Sequence, residues 1–370
     1  MNYIGLMSGT SMDAIDAVAI SISSDTKLAV LATHSAPYPV ELKAQLQRLG
    51  SPSSSELELA AQLDTRLGEL FASAADEVRN KAGLERQHIS AVGSHGQTVR
   101  HCPGAQQPFS LQIGNPAIIA ERTGIATVAD FRARDIAAGG QGAPLAPAFH
   151  LWMFHSRERN RAVVNIGGIA NISYLPAQIG QRVRGFDTGP GNTLLDHWVA
   201  KHLGHNFDAD GKWAATGTVT VTLLERLCND DYFRAAPPKS TGPEHFDLDW
   251  LQRYLAEMRP PPQAQDVQAT LTELTARTIA QALNDHFPSV DEIYVCGGGT
   301  HNKHLMVRLR SNLSSVALVE TTAALGLDPD WVEAAAFAWL AHQTMTGQPG
   351  NLPSVTGARH EVVLGGIYKA

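Results

Sequence analysis

"GLMSGTSMDAIDAVAI", residues 5–20, joins two apolar runs through a turn of small and hydroxyl-bearing residues, Ser8-Gly9-Thr10-Ser11. Residues 2–20 therefore read as a strand, a tight turn and a second strand, with Asp13 and Asp16 inside the second run. Carboxylates are disfavoured in a strand that buries itself, so the two acids call for a reason. A turn built from Gly, Ser and Thr offers N–H groups and hydroxyls to an anion, and Gly9 has no side chain to block close approach. An acid just beyond the turn holds Mg²⁺ when a nucleoside triphosphate lies across it. The alternative is an ordinary turn with an exposed Asp13.

Residues 161–175 ("RAVVNIGG", then "IANISYL") carry the same pattern of strand, glycine turn and strand. The two hairpins are either a weak internal repeat or two unrelated hairpins. Around them the chain alternates strand and helix patterns. Helical spacing covers 56–82, 217–229, 266–286 and the strongly apolar 331–346. Strand patterns occupy 88–99, 124–135 and 291–299. The stretch 234–265 reads as a loop with a short helix. Such alternation predicts an α/β fold with mixed sheets. The halves divide within 136–160, giving expected domains 1–140 and 141–346, with 347–370 packing back on the first.

Composition narrows the class. The 370 residues are 44% hydrophobic and 18% charged, with 32 Gly and 20 Pro, which suits a loop-rich folded protein of two domains. A net charge of −7 and a pI near 6.1 argue against nucleic acid or an anionic membrane as partner. Cys102, Cys228 and Cys296 are odd in number and widely spaced, without zinc spacing, as in a reducing compartment. No leader pattern and no run of ~18 apolar residues is present. A cytoplasmic protein is expected.

Two glycine runs and two polar segments carry chemistry. In "GFDTGPGNTLLDHW", 185–198, Asp187 ends a strand and is followed by a glycine-framed loop, the place for a general base. Its other reading is a helix cap, but the helix near Thr193 has Asn192 for that task. "CGGG", ending in Gly297, Gly298 and Gly299, lets a backbone approach a ligand or forms a flexible turn. It matches neither a dinucleotide fingerprint nor a P-loop. His95 in "SHGQT" is either a satisfied structural histidine or a ligand contact. Arg132 and Arg134 in "ADFRARD" offer a carboxylate clamp or surface ion pairs, and "GGQGAPL", 139–145, reads as a flexible ordered loop or hinge.

Together, "GLMSGTSMDAID", "GSHGQT", "QIGNPA", "ADFRARDIAAGGQGAPL", "NIGGIANIS", "GFDTGPGN", "DGKWAATG", "PKSTG", "CGGGTHN" and "WVEAAAFAWLA" resemble the anhydro-N-acetylmuramic acid kinases, over residues 3–368. That resemblance implies a two-domain actin-like ATPase (ribonuclease H-like) fold of the hexokinase–Hsp70–actin superfamily, with mixed sheets and a central cleft. It implies ATP and Mg²⁺, with Gly9, Thr10, Ser11, Met12, Asp13, Ala14, Ile15 and Asp16 as the first nucleotide-binding stretch. Asp13 would hold the metal. Asn165, Gly167 and Gly168 would form the second phosphate turn, and Gly297, Gly298 and Gly299 the adenosine side. Asp187 would be the catalytic base, and Thr98, Arg132 and Glu333 would contact the sugar. A carboxylate on an otherwise apolar helix is costly without a partner, which suits Glu333 to that role. Ala14 departs from the glycine usual in the family. The implied reaction opens 1,6-anhydro-N-acetylmuramic acid with water and phosphorylates O6, in peptidoglycan recycling, by a homodimer. The alternatives are a kinase of the same fold acting on a free hydroxyl of another amino sugar, and a non-catalytic ATP-driven binding protein.

Overall fold

The opening hairpin is the first element of a mixed sheet. The computed structural model describes residues 1–370 apart from 10, 11, 13, 24–26, 50–55, 179, 238, 243, 288, 314, 315 and 317. Contacts divide the chain into two units, Met1–Met153 with Trp331–Ala370, and Phe154–Asp330. The sequence reading set its boundaries at 140/141 and 346/347. The apolar helix 331–346, placed with the second domain on that reading, belongs instead to the first unit. It packs on that unit's sheet rather than on the segment that precedes it in sequence.

In the first unit, β1 (Asn2–Met7), β2 (Ala14–Ser23) and β3 (Lys27–Pro37) form an antiparallel meander. β4 (Ile89–Ser94) adds parallel to β1. The pair β5 (Gln97–Cys102) and β6 (Phe109–Ile113) forms a separate antiparallel ribbon, and β7 (Thr127–Ala129) adds parallel to β4. A parallel neighbour needs a crossover, and the helix Glu56–Lys81 supplies it between β3 and β4. Strand side chains alternate between faces. Ile4, Leu6, Ile15, Ala17 and Val92 share one core with Leu63, Leu67 and Phe71 of that helix. The opposite face of β1 and β4 presents Gly5 and Gly93. There the helix Val332–Met345 lies so close that a Cβ on Gly5 would overlap the Ala334 carbonyl oxygen, and one on Gly93 that of Phe337. The alanines of this helix serve the same close approach.

The second unit repeats the plan. β8 (Arg161–Ile166), β9 (Ile169–Leu175) and β10 (Arg184–Pro190) are antiparallel, while β11 (Glu292–Cys296) and β12 (Leu318–Thr321) add in parallel. The crossover helix Ala264–His286 packs Ile279 and Leu283 against Ile172, Phe186 and Val295. A second core gathers Leu194, Trp198, Leu223, Trp250 and Leu271. β13 (Gly366–Tyr368) pairs antiparallel with β7 in the first unit. Counting only the strands of each sheet in chain order, both sheets run 3-2-1-4-5, leaving out β13. The two hairpins are thus equivalent parts of a repeated ribonuclease H-like sheet.

Candidate active site

Thr10, Ser11 and Asp13 lie outside the described residues, so the first turn is built from its flanks. The Met12 amide donates to the Gly9 carbonyl at 3.2 Å, closing the turn. Buried Ser8 sets its hydroxyl 2.7 Å from Gln97 Oε1 and 3.1 Å from the Ala14 carbonyl, and Gln97 Nε2 donates to the Gly9 carbonyl at 3.3 Å. The "SHGQT" segment therefore holds the turn from the side. A Cβ on Gly9 would meet nothing within 4 Å, so there is open space beside Gly9. Ile15 is buried and Met12 packs against the same core, so both have only backbone to offer a ligand. Asp16 accepts a hydrogen bond from the Ser35 hydroxyl at 2.8 Å. Its strand position puts it on the sheet face covered by Val332–Met345.

Arg132 is the hub of the first unit's polar cluster. Its Nη1 donates to the Gly142 carbonyl at 2.8 Å, while Nε and Nη2 donate to His95 Nε2 at 3.1 and 2.8 Å. Burial raises the pKa of Glu333, with Arg132 opposing that rise and Asp16 adding to it. Burial, together with the Arg132 charge, lowers His101 to about 4 and holds His95 well below its ordinary value. The cluster thus carries one firm cation and one carboxyl inclined to keep its proton. Thr98 stands at a bulge in β5 and its hydroxyl accepts from Gln112 Nε2 at 3.1 Å. The sequence-predicted sugar contacts Arg132 and Glu333 are electrostatically coupled here. The acceptor His95 and the neighbour His101 were not assigned this place from sequence.

The loop 139–145, for which an ordered loop or a hinge is expected, is held by buried hydrogen bonds. Fully buried Asp135 accepts from the Gly142 amide at 2.8 Å, from Asn351 Nδ2 at 2.7 Å and from the Thr356 hydroxyl at 2.8 Å, and the Gln141 amide donates to the Thr356 carbonyl. A buried carboxylate with several donors fixes the backbone around it.

In the second unit the turn Gly167–Gly168 joins β8 to β9. Its carbonyls accept from the amides of Gly191, Asn192 and Thr193, at 2.8–3.1 Å. Those bonds anchor the chain entering the helix Thr193–Leu203, through its first amide and the two before it. Asn192 occupies the cap position but makes no cap, a correction to the sequence reading. Its Nδ2 donates to the Ile166 carbonyl at 3.2 Å instead. Nor is Gly297–Gly299 a flexible run. Gly297 has φ +81°, and a side chain there or at Gly299 would strike Asn165 or Ile166 at the end of β8. Buried Asn165 thus sits under the glycine turn, and Gly298 is the glycine of the three with room beside it.

Asp187 is held by the "PKSTG" segment. Its amide donates to the Lys239 carbonyl at 3.2 Å, the Thr241 amide donates to its Oδ2 at 3.0 Å, and the Tyr232 hydroxyl donates to its carbonyl at 2.6 Å. Lys239 donates to the carbonyls of Tyr232 and Phe233 and stands over the Tyr232 ring at 4.8 Å, its pKa lowered by burial. Half-buried Asp187 is therefore aimed by its neighbours and has no capping task. A carboxylate fixed in this way can accept a proton from a reacting group. Among the described residues no cluster of three or more His, Cys, Asp or Glu could hold a metal, and no helix is long and apolar enough to cross a membrane. A magnesium bound mainly through phosphates needs only one or two carboxylates. Asp16 is the described acid nearest in sequence to the first turn.

A family model described as anhydro-N-acetylmuramic acid kinase matches residues 1–370. The anhydro-N-acetylmuramic acid kinase of Nitrosomonas europaea is 50% identical over 370 residues, covering 100% of each chain. That of Shewanella halifaxensis is 49% identical over 370 residues, covering 100% of this chain and 98% of its own. The Coxiella burnetii (strain RSA 493 / Nine Mile phase I) protein of the same name is 48% identical over 366 residues, covering 99% and 97%.

Proposed function

Because this chain belongs to the anhydro-N-acetylmuramic acid kinase family, we propose that it opens 1,6-anhydro-N-acetylmuramic acid with water and phosphorylates O6. The products are N-acetylmuramic acid 6-phosphate and ADP. The full-length match at 50% identity carries the reading. The bridged substrate has no free 6-hydroxyl, so water must attack C1 as the C1–O6 bond breaks. ATP, with Mg²⁺, supplies the phosphoryl group that O6 receives.

The roles of the chain's own residues follow from their surroundings. Asp187 takes the proton of the attacking water, aimed by the Thr241 amide on Oδ2. Arg132, Glu333 and Thr98 bind the sugar, and burial, which raises the pKa of Glu333, favours its protonated form there. The backbone around Gly9 and Gly167–Gly168 receives the phosphates, and Gly298 lies toward the adenosine. Asp13, or Asp16 beyond it, holds the magnesium. A cytoplasmic homodimer completes the reading, in keeping with its three free cysteines.

Coupled measurement of ADP release decides the matter. Turnover with the anhydro sugar, and little with N-acetylmuramic acid, is the expected result. Equal turnover of the free sugar would favour a kinase acting on an ordinary hydroxyl.

A further inference from the structure

We propose that His95 is a positioning residue that fixes the guanidinium plane of Arg132 for the carboxylate of the sugar's lactyl group. The proposal rests on the sugar reading given above and adds to it how Arg132 is aimed. Four observations carry it.

A guanidinium only donates, so His95 Nε2, which meets Arg132 Nε at 3.1 Å and Nη2 at 2.8 Å, must present its lone pair. The Gly96 carbonyl only accepts, so Nδ1, 2.8 Å away, must carry the hydrogen. The tautomer is thereby dictated from both sides. Burial and the Arg132 charge, which hold His95 far below its ordinary pKa, keep the ring neutral.

The ring itself is fixed. The His95 backbone amide donates to the Leu6 carbonyl at 3.0 Å, tying the residue to β1, and the imidazole lies 4.6 Å from the Phe337 ring. Gly96 adopts φ +73°, a conformation glycine accepts readily, as its carbonyl meets the preceding imidazole.

Two guanidinium nitrogens on one imidazole and a third on the Gly142 carbonyl define the plane of the group rather than merely its place. Planar, bidentate recognition is what distinguishes arginine from lysine toward a carboxylate. N-acetylmuramic acid carries such a carboxylate, on its lactyl ether. An imidazole serving only the core would have no reason to spend its one lone pair on a substrate-side arginine.

The test compares the anhydro sugar with its lactyl amide, in wild-type protein and in the His95→Leu and His95→Gln variants. Wild-type turnover of the acid tests the function itself, and absence of any turnover would sink that reading rather than this one. With turnover present, the wild type should prefer acid over amide. His95→Leu should raise KM for the acid about tenfold, leave KM for ATP unchanged and bring the acid-to-amide ratio near one. His95→Gln, whose Oε1 reaches the place of Nε2, should restore most of the preference. A His95→Leu variant that melts like wild type and keeps the full preference would overturn the proposal. So would a Gln variant that behaves like the Leu one despite being folded, or a wild type indifferent to the carboxylate.

Discussion

The backbone amide of Thr241 points at Asp187, donating to Oδ2 at 3.0 Å across 54 residues of sequence. An asparagine would keep an oxygen for that bond but lose the negative charge. Asp187→Asn is therefore expected to fold and melt like wild type while sugar phosphorylation falls by ~10²–10⁴, the usual cost of removing a placed base. Steady-state ADP release checks it, and near-normal turnover would remove Asp187 from the mechanism.

Two glycines of the first unit should respond oppositely to alanine. Gly5→Ala forces its methyl into the Ala334 carbonyl, so the helix bearing Glu333 must shift. Overpacking of this kind costs ~1–3 kcal/mol. Thermal melts should show that loss, together with a raised KM for the sugar. Gly9→Ala meets nothing within 4 Å and should leave the melt unchanged while raising KM for ATP. A Gly9→Ala protein with normal ATP kinetics would discard the phosphate role of that turn.

His150 gives the fold an acid-labile point. Fully buried, it has its pKa lowered to about 3 by that burial. The unfolded chain takes up this proton near pH 6.5, the native one only near 3, so the unfolded state binds more protons in between. Its contribution is complete above pH 6.5 and is lost as pH falls toward 3, up to about 4–5 kcal/mol at ~1.4 kcal/mol per unit. Melting temperatures of His150→Leu between pH 7 and 4 should fall less steeply than those of wild type. Parallel curves would refute the assignment.

The stereochemistry of ring opening is also fixed by the proposed roles. O6 leaves C1 on the face where it meets the phosphoryl donor, so water helped by Asp187 must enter from the other. The bridge is β, and the first product is then the α-anomer. A covalent glycosyl-enzyme would need a second carboxylate at C1 and would retain configuration. Reaction in ¹⁸O-water, followed by NMR before mutarotation, should place the label on the C1 hydroxyl. Label at O6, or an initial β-anomer, contradicts the mechanism.

The hairpins, the crossover helices and the glycine-framed acid were legible because each is a local pattern: alternation of period two, spacing near 3.6, a Gly/Ser turn. What surrounds Asp187 was not. Lys239, Thr241 and Tyr232 reach it through tertiary folding, and only the "PKSTG" resemblance hinted that the segment mattered. The cap expected of Asn192 is missing for a similar reason, since its side chain is engaged by the Ile166 carbonyl, distant in sequence. What orders 139–145 was not legible either, since Asp135, Asn351 and Thr356 meet there from distant parts of the sequence. Asp16, the acid that looked misplaced in a strand, lies on the face shared with Glu333 and shifts its titration.

The discontinuity of the first unit has a biosynthetic consequence. Its sheet strands through β7 leave the ribosome early, but the helix that seals Gly5 and Gly93 begins at Val332, after the whole of Phe154–Asp330. At roughly 5–20 residues per second, some 10–40 s separate translation of Met153 from that of Met345. During that interval the glycine-lined face of β1 and β4 is a half-finished surface on the nascent chain, open to chaperones, whereas the second unit is one continuous stretch and has all its own residues as soon as Asp330 is made.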